Sequence, residues 1–246
     1  MRLALRRRPV PEPDHIEVQH GEARLRIALR RRAEARRLTL RVSSATGEVV
    51  MTLPARTSLS TAERFAASHG GWIAMRLAKV PERIAFEPGA VVPFRGVPHR
   101  IVHRGSCSGA TRVEIYEGEP AILVCCDAPH VARRVRDLLE REVRADLRAA
   151  IASYTARLGQ SPRRLTVRDT RSRWGSCTAA GDLNFSWRLI LAPPLVLDYL
   201  VAHEMAHLRE MNHSDRFWSL LNGLCPHVDE AERWLKRHGS GLHRYG

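Results

Sequence analysis

Lysine is nearly absent from this chain of 246 residues. Only Lys79 and Lys236 among its 40 basic residues are lysine, and arginine supplies the rest of a formal net charge of +14. Arginine binds phosphate bidentately, and a basic surface attracts nucleic acid. A GC-rich genome gives the same composition, however, and few aromatic residues separate the scattered basic ones. Charge alone therefore does not select a function, and nucleic acid remains one partner to consider.

Long apolar runs are also missing. No run approaches the roughly 20 residues that a membrane span needs, and the basic start MRLALRRRPVPEP lacks the apolar segment of a secretory signal. We therefore expect a cytoplasmic protein with no membrane partner, whose residues 1–15 form a flexible N-terminus.

Paired metal-binding cysteines are absent as well. The five cysteines are odd in number and show no CxxC spacing. This pattern favours free, mostly buried thiols in a reducing compartment. We expect the same for Cys177 and Cys225, although a soft second metal site is the alternative for these two.

Short alternating stretches dominate residues 16–128. Turn signals such as Thr46-Gly47 separate them, which is the pattern of antiparallel hairpins. One helix is predicted within this region, beginning with a capping box at Ser60–Glu63 and weakened in its middle by Gly70 and Gly71.

The apolar period changes to that of a helix in residues 129–246. A long helix is predicted from Val131 to Leu158, ended by Gly159. Two strands, Arg164–Arg168 and Asp182–Leu189, precede a helix that starts after Pro193-Pro194. We expect further helices over Ser214–Asn222 and Asp229–Arg237. The fold class is therefore α+β, with a β-rich N-terminal region followed by a catalytic domain.

The motif that carries chemistry is HExxH, at His203–His207. Histidines four residues apart lie on the same face of a helix, so both imidazoles can reach one cation. Zinc accepts such nitrogens and, at a catalytic site, keeps one position for water. Glu204 is placed to take the proton of that water as the general base.

A third ligand is available six residues after the motif. His213 follows Asn212, which tolerates a left-handed cap that would turn the chain back toward the helix. We therefore expect one catalytic Zn²⁺ held by His203, His207 and His213.

The chain resembles the YgjP-like metallopeptidase family, which is related to the SprT and WLM metalloproteases. The likeness covers nearly everything after the first fifteen residues. It is carried by Ser172–Cys177, Leu183-Asn184, Trp187–Leu189, Pro193-Pro194, Asp198–Val201, His203–Leu208, Met211–Ser214 and Phe217-Trp218, with weaker matches at Gly71–Ile73 and Phe94–Gly96.

The resemblance implies a gluzincin-like core of a helix, a small antiparallel sheet and a metal-bearing helix. By position, it places the zinc ligands at His203, His207 and His213 and the general base at Glu204. Members are named metallopeptidases by motif, yet the family is also described as metal-dependent nucleotide (UTP) pyrophosphatases. The resemblance therefore defines the site better than the substrate.

Three functions follow. The leading one is a zinc metallopeptidase in which strand Leu183–Leu189 is a sheet edge that pairs with an extended peptide. The first alternative is a nucleotide pyrophosphohydrolase whose arginines bind phosphate. The second is a protease acting on nucleic-acid-bound proteins, which rests on charge and kinship alone. The candidate substrate-binding residues are Arg171, Arg173, Trp174 and Arg188.

Overall fold

The computed structural model describes residues 13–43, 46–80, 82–170 and 172–246. The chain divides into two compact units, Met1–Pro81 and Glu82–Gly246. The sequence pattern placed the division near residue 128 instead. The observed division differs from the predicted one because the strands of residues 91–124 share a core with the long helix that follows them. Most of the N-terminal segment predicted to be flexible lies outside the described residues.

A four-stranded sheet forms most of the first unit. Its strands are β1 (His15–His20), β2 (Ala23–Arg32), β3 (Thr39–Val42) and β4 (Val49–Pro54). They lie in the order β1-β2-β4-β3, with two antiparallel hairpins joined by a parallel β2–β4 pair. The predicted hairpins are confirmed, and their alternating apolar residues form a separate core.

Two helices, rather than the single one predicted, follow this sheet. They are α1 (Leu59–Ser68) and α2 (Gly70–Leu77), separated at His69. The glycines that weaken a helix fall at the break. The N-cap is Ser58, whose extended backbone lets its hydroxyl accept from the Thr61 N–H at 3.2 Å. The predicted start at Ser60 is therefore two residues too late.

The second unit begins with a sheet of the same strand order. Its strands are β5 (Val91–Phe94), β6 (Val97–His103), β7 (Arg112–Tyr116) and β8 (Glu119–Val124), arranged β5-β6-β8-β7. Helix α3 (Val131–Leu158) packs into the same core. Its predicted bounds are confirmed, and Gly159 ends it in the left-handed conformation at φ 67°.

A disulfide joins Cys107, in the connection after β6, to Cys125, directly after β8. The expectation of five free thiols is therefore wrong. The reason is topological: β6 and β8 are parallel neighbours, so the segments that leave them lie side by side. Cys126, Cys177 and Cys225 are free.

A small three-stranded sheet follows α3. Its strands are β9 (Arg164–Arg168), β10 (Gly175–Cys177) and β11 (Asp182–Ser186), in the order β10-β11-β9. The sheet is mixed rather than antiparallel, because β11 pairs parallel to β9. The predicted strand Asp182–Leu189 stops at Ser186, which caps a buried 3-10 turn over Trp187–Leu191.

Three helices complete the unit: α4 (Pro194–Ala206), α5 (Asp215–Leu224) and α6 (Val228–His238), followed by a 3-10 turn at Gly239–Arg244. These helices were predicted to within a few residues at their ends. Together with the mixed sheets they confirm the α+β class. No helix in the described part of the chain is long and apolar enough to cross a membrane.

Candidate metal centre

Helix α4 is the platform of the candidate site. Its side chains are apolar on almost every face, and nine of them are buried, which is the composition of a helix at the centre of a core. Polar groups in such a helix carry a desolvation cost unless they have partners. His203 and Glu204 lie in the last turn of α4, and His207 is its C-cap.

Three imidazoles converge at this end of the helix. The ring nitrogens offered by His203, His207 and His213 lie within 4.8 Å of one another, and the Nε2 atoms of His203 and His213 are 3.1 Å apart. The structure thus brings together the three residues named from the sequence. Nδ1 of His207 lies 3.0 Å from the carbonyl oxygen of Glu210, and a hydrogen bond there directs Nε2 toward the cluster.

The chain reaches His213 by a route that the sequence did not predict. Of the described residues other than glycine, only Arg95 and Glu117 have positive φ, so Asn212 is not a left-handed cap. The chain instead turns after α4 through two hydrogen bonds, in which the N–H groups of Arg209 and Glu210 both donate to the carbonyl of Ala206. Carbonyls at a helix end commonly find partners in this way.

An aromatic side chain covers the histidines. The ring centroid of Phe217, from α5, lies 4.6 to 5.0 Å from the centroids of all three imidazoles, and Phe217 is itself fully buried. Burial lowers the pKa of His203 to about 4 and also lowers the pKa of His207. Both rings are therefore neutral at physiological pH, which is the form that binds metals.

Glu204 is buried beside the histidines, with only 6% of its surface exposed. Burial raises the pKa of this carboxyl to about 7, while the backbone N–H of Cys177 and the charge of Arg173 act in the opposite direction. A carboxyl with a pKa near neutrality is suited to accept and return a proton.

Gly175 makes the close approach of Glu204 to the sheet feasible. A Cβ atom at this position would lie 2.7 Å from Oε1 of Glu204, so any other residue would displace the carboxylate. Gly175 opens β10, the edge strand that contacts α4. Sequence analysis missed this role, because the only signal for it was the glycine that follows Trp174.

The candidate substrate residues fall into different positions. Arg173 is exposed, and its positive charge acts to lower the pKa of Glu204. Trp174 is half-buried and stacks on His243 at 4.8 Å. Arg171 lies outside the described residues.

Arg188 is buried, and its guanidinium donates to Asp169 and to the carbonyls of Leu242 and Tyr245. These contacts fasten the C-terminal segment to the core. The proposed contact between Arg188 and substrate is therefore replaced by a structural role.

The histidine cluster suits a divalent metal on its own geometry. Nε2 of His203 faces Nε2 of His213, and the lowered pKa values of His203 and His207 keep their donor nitrogens unprotonated. Neutral imidazoles at this mutual distance form a donor set for zinc and similar ions.

Comparison with known proteins agrees with this geometry. The family model described as YgjP-like, metallopeptidase domain, matches residues 36–238 and so covers α4, the histidine cluster and Glu204. No curated protein and no solved structure matches the chain. A metallopeptidase domain of this kind implies a divalent metal and a hydrolytic activity. The chain belongs to the YgjP-like metallopeptidase family.

Proposed function

We propose that the protein is a zinc-dependent peptidase in which Glu204 is the general base. The observation that supports this is that Glu204 follows His203 on α4 while its carboxylate contacts the edge strand β10. A base, a metal-ligand set and a free strand edge are the three parts that hydrolysis of an extended peptide requires.

His203, His207 and His213 would hold the ion. Three nitrogen donors favour zinc over magnesium or calcium, which prefer oxygen ligands. A set of three protein ligands leaves a position open, as catalytic zinc sites do. When bound, zinc supplies Lewis acidity, which lowers the pKa of water and polarises a carbonyl group.

Glu204 moves the proton. One of its carboxylate oxygens takes a proton from the attacking water, and the resulting carboxylic acid passes that proton to the nitrogen of the leaving amine. The apolar surroundings that raise its pKa toward 7 make both transfers favourable near neutral pH. The Cys177 N–H holds the carboxylate in position for this exchange.

Strand β10 would bind the substrate backbone. Only one of its sides pairs within the sheet, with β11, so the other side offers N–H and C=O groups to an added strand. This assignment replaces the predicted role of Leu183–Leu189, because β11 is the central strand and both its sides are already paired. Arg173, exposed next to β10, would orient the peptide.

A two-substrate assay tests the proposal. Purified protein loaded with zinc is incubated with casein and, separately, with UTP. We expect casein to be cleaved and UTP to remain intact, with no casein cleavage by the matched variant His207→Ala. Release of pyrophosphate from UTP without cleavage of casein would overturn the peptidase assignment and favour the nucleotide alternative.

A further inference from the structure

A second group of metal-binding side chains lies elsewhere on the same helix. Asp198 of α4, Cys225 after α5 and His227 before α6 offer an oxygen, a sulfur and a nitrogen within 4.8 Å of one another. We call these three residues the Asp198 cluster. Five residues separate Asp198 from His203, which places them about 140° apart around the helix axis, so the cluster is separate from the histidine centre.

We propose that the Asp198 cluster is a second zinc site, which binds one ion through the Asp198 carboxylate, the Cys225 thiolate and the His227 imidazole. Mixed thiolate, imidazole and carboxylate ligands match the borderline softness of Zn²⁺. The tight magnesium and calcium sites of proteins use oxygen ligands instead. The proposal does not depend on which bond the histidine centre hydrolyses.

The contact between Asp198 and His227 is the first argument. His227 Nε2 lies 3.0 Å from Oδ2 of Asp198. This nitrogen is buried and has no hydrogen-bond partner among the residues that the structure describes. A hydrogen bond requires suitable angles as well as a short distance. A buried imidazole nitrogen and a carboxylate oxygen this close, with no hydrogen bond between them, are suited to share a cation. Tetrahedral zinc holds its ligand atoms about 3.3–3.8 Å apart, given its bond lengths.

The Cys225 thiol is the second argument. Cys225 is only 1% exposed, and its sulfur accepts a hydrogen bond from the backbone N–H of His227. Burial raises the pKa of this thiol, and the His227 N–H opposes that rise, so the thiolate forms when a cation takes the place of the proton. Binding of Zn²⁺ replaces the thiol proton, which passes to solvent, and a zinc–sulfur bond forms without any redox change.

Neighbouring residues hold these ligands in place. The Tyr154 hydroxyl donates to Oδ2 of Asp198 at 2.8 Å, the kind of contact that orients a metal-binding carboxylate. Arg157 donates to the carbonyls of Leu224 and Gly223 at 2.6 and 3.1 Å. These bonds fix the end of α5 and therefore the position of Cys225.

A route to the surface is present. Cys225 and His227 line a cavity together with Asp229 and Glu230. Arg233 lines the same cavity and offsets one of the two carboxylates, so the net charge of these three side chains still attracts a cation. A bound ion would tie α4 to the connection between α5 and α6.

Cobalt substitution separates the two sites, because the histidine centre offers no sulfur. The full-length protein, stripped of metal and reconstituted with Co²⁺, is examined by near-ultraviolet absorption for the thiolate-to-cobalt charge-transfer band. We expect the band in the wild type, its loss in Cys225→Ser, and its retention in the matched variants Cys177→Ser and Cys126→Ser. We also expect two zinc ions per wild-type chain and one in Cys225→Ser.

Two results would overturn the site: a single zinc per wild-type chain with no charge-transfer band, or a band that persists in Cys225→Ser. If Cys225→Ser does not fold, His227→Gln takes its place, since this half-buried side chain is less central to the core. In that variant, unchanged zinc content together with an unchanged band refutes the proposal. Loss of one zinc with casein cleavage retained supports it and leaves the peptidase assignment standing.

Discussion

The histidine centre and the Asp198 cluster differ in what surrounds their ligands. The histidine centre has three candidate ligands of one type, a buried carboxyl group beside them and a strand edge that pairs with no other strand in the described part of the chain. The Asp198 cluster has three different candidate ligand atoms, which Tyr154 and Arg157 hold in place, and the carboxylates near it, Asp229 and Glu230, are exposed to solvent. A ligand set alone therefore does not distinguish catalysis from support. The neighbouring proton acceptor and the access for substrate make the distinction.

The largest effect is expected from His207→Ala. Removal of this imidazole takes away a ligand that Glu210 orients, so zinc bound at the histidine centre and casein cleavage should both fall to background. Metal analysis should still find the ion at the Asp198 cluster. His238→Ala, an exposed histidine outside both groups, should change neither quantity, and a metal-bound, active His207→Ala protein would remove His207 from the ligand set.

Protonation of Glu204 should alter stability in the metal-free protein. Burial raises the pKa of Glu204 from 4.5 to about 7. The contribution of the protonated carboxyl to stability is therefore fully present below about pH 4.5, and it is lost as the pH rises through 7. Across that range, the free energy of unfolding of the wild type should therefore fall by about 3 kcal/mol relative to that of Glu204→Gln. Histidine titrations occur in both proteins and cancel in the difference.

Urea unfolding of both metal-free proteins between pH 4.5 and 8 measures this difference. A gap between the two unfolding free energies that does not change with pH would show that burial does not raise the pKa of Glu204.

Gly175→Ala should weaken catalysis without removing metal. The added Cβ, 2.7 Å from Oε1 of Glu204, forces the carboxylate to move, and a displacement of about 1 Å costs roughly 10²-fold in rate. The control, Gly223→Ala, is adjacent to the Asp198 cluster, and its Cβ would meet nothing within 4 Å. Steady-state casein cleavage should fall only in Gly175→Ala, and equal rates for the two variants would contradict the role of this close approach.

The smallest effect is expected at the Asp198 cluster. Cys225→Ser should lower the thermal midpoint when zinc is present, by roughly 2–4 °C for each kcal/mol lost, while casein cleavage at ordinary temperature persists. Calorimetry with and without a chelator isolates the metal contribution. If the decrease is the same in both conditions, it reflects packing of the thiol and not a bound ion.

The histidine centre could be predicted from the sequence because its candidate ligands follow a local rule. His203 and His207 are one helical turn apart, and His213 follows within the same short segment. The Asp198 cluster follows no such rule. Asp198 meets Cys225 and His227 only because α4, α5 and α6 pack together, and contacts of this kind depend on tertiary structure.

Helix bounds were predicted better than sheet positions for the same reason. The apolar period and Gly159 defined α3, whereas the location of β11 at the centre of its sheet depends on pairing with β9, which is distant in sequence. Arg188 shows the limit for single residues. As an arginine it was a candidate for binding substrate, and only the packed structure reveals its bonds to the C-terminal segment.

The most direct test of the central claim compares casein cleavage by wild type and Glu204→Gln, each shown beforehand to hold zinc at the histidine centre. The change keeps the shape of the side chain and removes its ability to accept a proton. We predict that the variant retains its metal and loses roughly 10²–10⁴-fold in kcat, the contribution of a general base. A metal-loaded Glu204→Gln protein that cleaves casein at the wild-type rate would contradict the proposed mechanism.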